Sequence, residues 1–422
     1  MSGPIECGSI RAPARARTAR RIRRAIACGL ALVLASAGLA SEAIARSEGE
    51  RASAGEVEGE AESEGASTGA APLYAPHRDE DGYFNPWHRF DRPSVWDMLA
   101  WKTAANPYDK DAPPVIPRIA NDGAYLAGEE HSATVTWVGH ATFAVHDRDD
   151  VFLTDPHFSK RALIPARAVP PGLPVDSIPP DAFAVVSHNH YDHLDEETVK
   201  TLPATVGWYV PKGLAGWFRK RGREDVVELD WWQSARRGRF TITCLPSQHW
   251  SLRIGQGENE TLWCAWLVDS GDYRYFFAGD TGYFEGFAEY GRRFAPIDVA
   301  MLPIGAYAPR WFMAYQHVDP AEAYQAFLDL RAGTLLPMHW GTFDLTDEPL
   351  DLPPRELARV VAERSGGDDR VRILAIGERW KVPERPATAS AASSPSPSPS
   401  ASSAESDAPR PNGESTRIPE NE

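Results

Sequence analysis

An apolar run from Ala182 to Ser187 ends in His188-Asn189-His190-Tyr191-Asp192-His193, so three histidines and an aspartate fall within six positions after a buried-strand candidate. Imidazole suits zinc, and a carboxylate adds a harder oxygen ligand. A loop at a strand end can curl these side chains towards one point while the strand holds its base rigid. One ion could take His188 and His190, the other Asp192 and His193. The plainer reading is a solvated histidine-rich loop. Tight alternation of ligand residues beside strongly apolar sequence argues against it.

One loop cannot complete two coordination shells, so later segments must contribute. His249 follows Phe240–Leu245 through Pro246-Ser247-Gln248; Asp280 follows Tyr275-Phe276-Phe277-Ala278-Gly279; His339 follows Thr334–Met338. A lone histidine is more often a hydrogen-bonded structural residue. Joined to the cluster, these make five histidines and two aspartates. Asp280 is a natural bridge, since a carboxylate has two oxygens.

Short apolar strands alternate with helical stretches. Thr134–Val138, Val151–Leu153, Ala182–Ser187, Phe240–Leu245, Leu262–Val268, Tyr273–Ala278, Val299–Leu302, Thr334–Pro337 and Val371–Ile376 read as strands. Helices are expected at Glu196–Thr201, Gly213–Arg221, Pro320–Arg331 and Pro354–Ser365. The third has a defined start in Asp319 as N-cap, Pro320 at the first helical position and Glu322. This order suggests an α/β protein with two sheets face to face and helices outside.

The ends differ in character. Residues 1–45 carry seven arginines against Glu6 and Glu42, then an apolar run from Ala25 to Ala40 and the small-residue site Ala43-Ile44-Ala45. That is the layout of a secretory signal, with an N-terminal anchor as the alternative. Residues 46–73 read as a disordered acidic linker and 384–422 as a disordered Ser/Pro/Ala-rich tail, leaving 74–383 as the folded domain. Removing residues 1–45 takes the formal charge from −15 to −20. A nucleic-acid partner is therefore not expected, because phosphate neutralisation needs a basic face. Of four cysteines, Cys244 and Cys264 lie outside the leader, as a disulfide in an oxidising compartment or as two buried thiols.

The loop from His188 to His193 resembles the His-x-His-x-Asp-His signature of the metallo-β-lactamase superfamily, whose later ligands match His249, Asp280 and His339. The resemblance implies an αββα sandwich with the site at one edge of the sheets. A narrower likeness is carried by Asn85-Pro86-Trp87, Trp137 to Thr142, Leu153-Thr154-Asp155-Pro156, Glu228 to Trp232, Pro246 to Trp250, Phe276 to Tyr283, Pro303 to Tyr307, Pro309 to Met313, Tyr315 to Pro320 and His339 to Phe343. These strings are similar to the N-acylphosphatidylethanolamine-hydrolysing phospholipase D family, over about Phe84 to Pro353. That family implies a phosphodiesterase with two Zn2+ per chain that releases a fatty-acid ethanolamide and phosphatidic acid, acts on phospholipid at a membrane surface and forms homodimers.

On this reading Asp192 is both ligand and catalytic residue. His317 contacts phosphate oxygens or protonates the leaving alkoxide, or is structural. Asp155 orients ligand histidines or is a turn residue before Pro156. The stretch Ser159 to Ala168 departs from the family. Arg161 and Arg167 there are candidate substrate contacts, since guanidinium binds phosphate, or surface charges. Tyr83, Phe84, Trp87, Phe90, Trp96 and Trp101 are dense in aromatic surface suited to a lipid interface or to core packing. The leader implies an exported protein of the periplasm or outer envelope, peripheral to a membrane. The alternatives are a sugar-phosphate lactonase or other metal-dependent hydrolase, and a non-catalytic, metal-stabilised envelope protein.

Overall fold

A computed structural model describes residues 71–128 and 132–385. The chain divides into two units, 1–66 and 67–422; the first, with the leader and most of the acidic linker, lies outside the described residues, as does the tail from 386 onwards. Leu73 is in the core and Arg385 pairs with Asp298 at 2.5 Å, so the domain reaches slightly past both expected boundaries.

The main strands are β1 (Thr134–Gly139), β2 (Thr142–Asp147), β3 (Asp150–Thr154), β4 (Phe183–Val185), β5 (Gly207–Pro211), β6 (Val226–Leu229), β7 (Ser234–Arg237), β8 (Phe240–Leu245), β9 (Ala265–Asp269), β10 (Arg274–Phe277), β11 (Ile297–Pro303), β12 (Ala332–Met338) and β13 (Arg379–Lys381). The helices are α1 (Val95–Thr103), α2 (Glu196–Thr201), α3 (Ala215–Arg219), α4 (Gly286–Phe294), α5 (Arg310–Met313), α6 (Pro320–Asp329) and α7 (Leu352–Ser365). One sheet runs β13-β1-β2-β3-β4-β5-β6, the other β12-β11-β10-β9-β8-β7. Each mixes antiparallel and parallel pairing: β3 to β6 are parallel in the first sheet, and β10 to β12 in the second.

Strands buried on both faces explain the continuous apolar runs. In the first sheet Phe143, Val145, Phe152, Phe183 and Val185 point inward, where Phe152 and Phe183 meet Phe240 of the second sheet edge to face. The alternate residues Ala144, Leu153, Ala184, Trp208 and Val210 pack outward with Val199 of α2 and Phe218 of α3. Over the second sheet lie Phe287 and Tyr290 of α4, Tyr324 and Phe327 of α6, and Leu357 and Val361 of α7. This is an αββα sandwich. Trp266 Nε1 donates to the Val186 carbonyl at 2.9 Å, which ties the second sheet to the segment leading into the histidine loop.

The helix start expected at Asp319 is present. The Asp319 carboxylate accepts from the Ala321 and Glu322 amides, Glu322 accepts from the Asp319 amide, and Pro320 sits in the first turn. Val371–Ile376 is not a strand. Its residues make single bridges to two different neighbours, Leu335 to Val371 and Arg118 to Ile376, and the edge strand is the polar β13 beyond it. Cys244 and Cys264 are buried free thiols. The early aromatics divide: Tyr83 and Trp101 are buried, with Trp101 against Phe312, whereas Trp96 is 76% exposed.

Candidate metal centre

Within each sheet the strand ends that matter fall on one edge. β3 and β4 are parallel, so Asp155 and the loop after Val185 leave the sheet side by side, with the β1–β2 turn carrying His140 next to them. β8 antiparallel to β9 and β9 to β10 bring the segments leading to His249 and Asp280 together; the parallel β11 and β12 add His317 and His339. A close approach locks the two edges. Gly279 has φ +59, and a Cβ there would fall 2.4 Å from the Ser187 Cβ, so only glycine lets Asp280 come this near the histidine loop.

Two groups of ligand atoms result. In the first, His190 Nδ1 lies 2.9 Å from His188 Nε2 and 3.2 Å from His249 Nε2. In the second, His339 Nε2 lies 3.2 Å from His193 Nε2 and 3.4 Å from Asp192 Oδ2. Asp280 sits between them: its Oδ2 is 3.1 Å from His193 Nε2 and 3.9 Å from both His188 Nε2 and His249 Nε2, and its Oδ1 is 3.1 Å from His339 Nε2. Tetrahedral zinc with Zn–N bonds of about 2.0–2.1 Å separates its nitrogens by about 3.3 Å. The donor spacing therefore fits a zinc-sized ion in either group. Six of the seven residues expected as ligands are in these two groups and the seventh, Asp280, lies between them; His317 borders it with Nδ1 3.9 Å from Asp280 Oδ2.

The surroundings set which nitrogen faces the centre. Asp155 Oδ1 accepts the Ser187 amide at 2.6 Å; its Oδ2 accepts the Ser187 hydroxyl at 2.5 Å and His193 Nδ1–H at 2.6 Å. Ser187 Oγ, having donated to Asp155, accepts from His188 Nδ1 at 2.9 Å. His249 Nδ1 donates to the Gln316 carbonyl at 3.1 Å. His188 and His249 thus turn an unprotonated Nε2 inward, His193 does so once its second proton is displaced, and Asp155 fixes one histidine of each group. Asn85 and Trp87 brace the loop before and at His249, through the His249 carbonyl at 3.1 Å and Gln248 Oε1 at 3.0 Å.

Burial, then the neighbouring imidazoles, hold His188 well below the usual histidine range; burial also holds His249 well below it and His190 at about 4. Three neutral nitrogen donors are what a cation needs. For His193, burial is outweighed by the Asp280 and Asp192 carboxylates, so its pKa rises well above the usual value, and the same opposition puts His339 at about 9. Burial would raise Asp192 and Asp280, but the adjacent imidazoles, His193 foremost, hold both well below the carboxylate range. Positive φ at His140 (+55), Asp155 (+32) and His339 (+64) marks the same spot. Such conformations cost on the order of 1–3 kcal/mol each and persist only where surrounding contacts over-determine them.

Arg161 and Arg167 are not gathered into these groups. Exposed Arg161 turns back onto the Ile164 carbonyl at 2.7 Å; Arg167 donates to the Ser159 and His157 carbonyls at 3.1 and 2.5 Å, which braces its own loop. Two residues escaped the sequence reasoning. His140 joins Asp192, His193 and His339, although only the turn between β1 and β2 brings it there. Arg253 donates to the Asn189 and Leu194 carbonyls at 3.0 and 2.9 Å and stacks on Tyr191, clamping both sides of the histidine loop. Neither stood near the histidine loop in sequence.

A family model described as a β-lactamase superfamily domain matches residues 151–340. N-acyl-phosphatidylethanolamine-hydrolyzing phospholipase D 1 of Caenorhabditis elegans is 36% identical over 276 residues, 61% of this chain and 78% of that protein. The mitochondrial N-acyl-phosphatidylethanolamine-hydrolyzing phospholipase D of Saccharomyces cerevisiae is 34% identical over 257 residues, 58% of this chain and 54% of that protein. Among solved structures, a possible metal-dependent hydrolase from Veillonella parvula aligns with a TM-score of 0.50 at 15% identity, over 60% of this chain and 100% of that one, a likeness of fold.

Proposed function

Because this chain belongs to the N-acylphosphatidylethanolamine-hydrolysing phospholipase D family of the metallo-β-lactamase superfamily, we propose that this metal-dependent hydrolase is a two-zinc phosphodiesterase acting on N-acylphosphatidylethanolamine or a related phospholipid. The observation that carries the metal count is the pair of donor groups with Asp280 between them. The phospholipid rests on the activity named for the worm and yeast relatives. The products would be a fatty-acid ethanolamide and phosphatidic acid.

Bound at this site, a zinc pair supplies Lewis acidity, neutralising phosphodiester charge and making a water acidic enough to attack near neutral pH. The chain's own residues fix the geometry. Asp155 sets the tautomers of His188 and His193; Gly279 lets Asp280 reach both groups. Burial holds His317 at about 4, so it is neutral at pH 7. A neutral imidazole can donate its N–H to a phosphate oxygen but has no extra proton to give, which favours phosphate contact over protonation of the leaving alkoxide. The leader and the exposed Trp96 support an exported enzyme resting on a membrane surface.

Purified, zinc-loaded protein is incubated with N-acylphosphatidylethanolamine in mixed micelles and the products identified by mass spectrometry, with His190→Ala and His317→Asn alongside. Ethanolamide and phosphatidic acid from the wild type, none from His190→Ala, and lowered turnover with retained zinc in His317→Asn are expected. Intact lipid in the presence of two zinc ions per chain would reject the substrate and turn the search to other phosphodiesters and lactones.

A further inference from the structure

His140 is buried at the turn between β1 and β2, and its ring faces the second donor group. Nε2 lies 3.0 Å from Asp192 Oδ2. A carboxylate only accepts, so the imidazole donates from Nε2, and the Asp192 oxygen it meets is the one nearest His193 and His339, at 3.5 and 3.4 Å. The backbone is pinned on all sides: its amide donates to Thr342 Oγ1 at 2.8 Å, and its carbonyl accepts from Trp137 Nε1 and the His339 amide, both at 3.0 Å. The ring is packed 4.1 Å from that of His339 and edge-on to Phe343 at 5.1 Å.

Two costs show that packing alone does not account for an imidazole here. The residue is in the left-handed region at φ +55, and Nδ1 is buried with no hydrogen-bond partner among the described residues. An unsatisfied buried polar atom costs on the order of 1–3 kcal/mol, which an apolar side chain of similar shape would avoid. What an apolar side chain could not do is hold Asp192, whose carboxylate lies at the open side of the site with 15% of its side chain exposed.

We propose that His140 is a positioning residue for the second metal: its Nε2–H holds the Asp192 carboxylate in the orientation that ligates alongside His193 and His339. The inference rests on the two-metal reading and is independent of which ester is cleaved. It separates two carboxylates of different kind. Asp280 lies between the two groups with both oxygens against ligand imidazoles, whereas Asp192 takes a hydrogen bond from His140 on the oxygen that faces His193 and His339. Polar partners of this sort change metal affinity by about 10–100-fold when removed.

Amide side chains distinguish this from a merely structural role. A glutamine amide nitrogen falls where His140 has Nε2; an asparagine nitrogen falls where it has Nδ1, and asparagine tolerates positive φ. Metal-stripped wild type, His140→Gln and His140→Asn are titrated with Zn2+ against a chromophoric chelator, after thermal melts confirm that each metal-free form is folded. His140→Asn is expected to weaken one of the two zinc-binding steps about 10–100-fold and leave the other within about threefold, with most of the loss restored in His140→Gln. Wild-type constants in His140→Asn would overturn the inference. Loss of one zinc in both variants would also overturn it, by making His140 a ligand itself. A wild type that binds fewer than two zinc ions would bring down the two-metal reading as well, whereas two zinc ions with no lipid turnover would leave the inference intact.

Discussion

Replacing Asp155 with asparagine changes almost no volume and tests how the site is organised. Oδ1 faces the Ser187 amide, which can only donate, so the asparagine oxygen must stay there and its NH2 falls where Oδ2 was. That position now meets His193 Nδ1–H and the Ser187 hydroxyl, which both donated to Asp155 in the wild type. Once neutral, as metal binding requires, His193 must either leave Nδ1–H unpaired or keep its proton on Nε2, the nitrogen 3.1 Å from Asp280 Oδ2. Ser187, now accepting from the amide, turns its own hydrogen to His188 Nδ1 and drives that proton to Nε2 too. Restoring the ligating tautomer forfeits a hydrogen bond to a charged group, about 1.5–3 kcal/mol. At 1.4 kcal/mol per decade this is about 10–150-fold in affinity. Because Asp155 reaches one histidine of each group, both zinc-binding steps of Asp155→Asn should weaken, unlike the single step expected for His140→Asn. Calorimetric or chelator-competition titration of the metal-free, folded variant reads this directly. Two zinc constants within about threefold of wild type would refute the tautomer argument.

Two further outcomes are expected. Gly279→Ala forces a Cβ to 2.4 Å from the Ser187 Cβ at φ +59, so it should lower unfolding stability by about 2–5 kcal/mol in denaturant titrations; a change under about 0.5 kcal/mol would mean the two edges can part freely. At pH 7 His339, with a pKa of about 9, and His193, shifted in the same direction, each hold a proton that zinc must displace. Titration calorimetry in buffers of different ionisation enthalpy should show about one to two protons released and affinity falling as pH drops below about 9; no release would contradict the charge arrangement. In the metal-free protein the raised His339 pKa stabilises the fold fully below the unfolded value near 6.5, and that contribution is lost as pH rises through about 9.

The sandwich and the ligand-bearing loops were legible because burial on both faces leaves a strong mark. Phe240–Leu245 and Glu196–Thr201 match the expected bounds, and the helix starting at Pro320 carries its cap in plain sequence. Elements whose stability comes from tertiary position left weaker marks. β13 is Arg-Trp-Lys and β7 is Ser-Ala-Arg-Arg, sequences that read as surface until a neighbouring strand supplies the pairing. Val371–Ile376 failed for the converse reason: Leu374 to Ile376 are apolar and buried, yet the segment pairs with no single strand for more than one residue. His140 and Arg253 act through chain reversals and a guanidinium stack, and neither has a spacing that a linear pattern records.

Neither donor group belongs to one sheet. His188 and His190 hang from the first sheet and His249 from the second; Asp192 and His193 come from the first and His339 from the second. An ion in either place is therefore a rivet through the seam of the sandwich. Chelation should loosen that seam at one edge while the aromatic interior around Phe152, Phe183 and Phe240 stays shut. Amide exchange would then quicken first in the loops after β4, β8, β10 and β12, and the molecule would open like a book from its catalytic edge rather than melt as a whole.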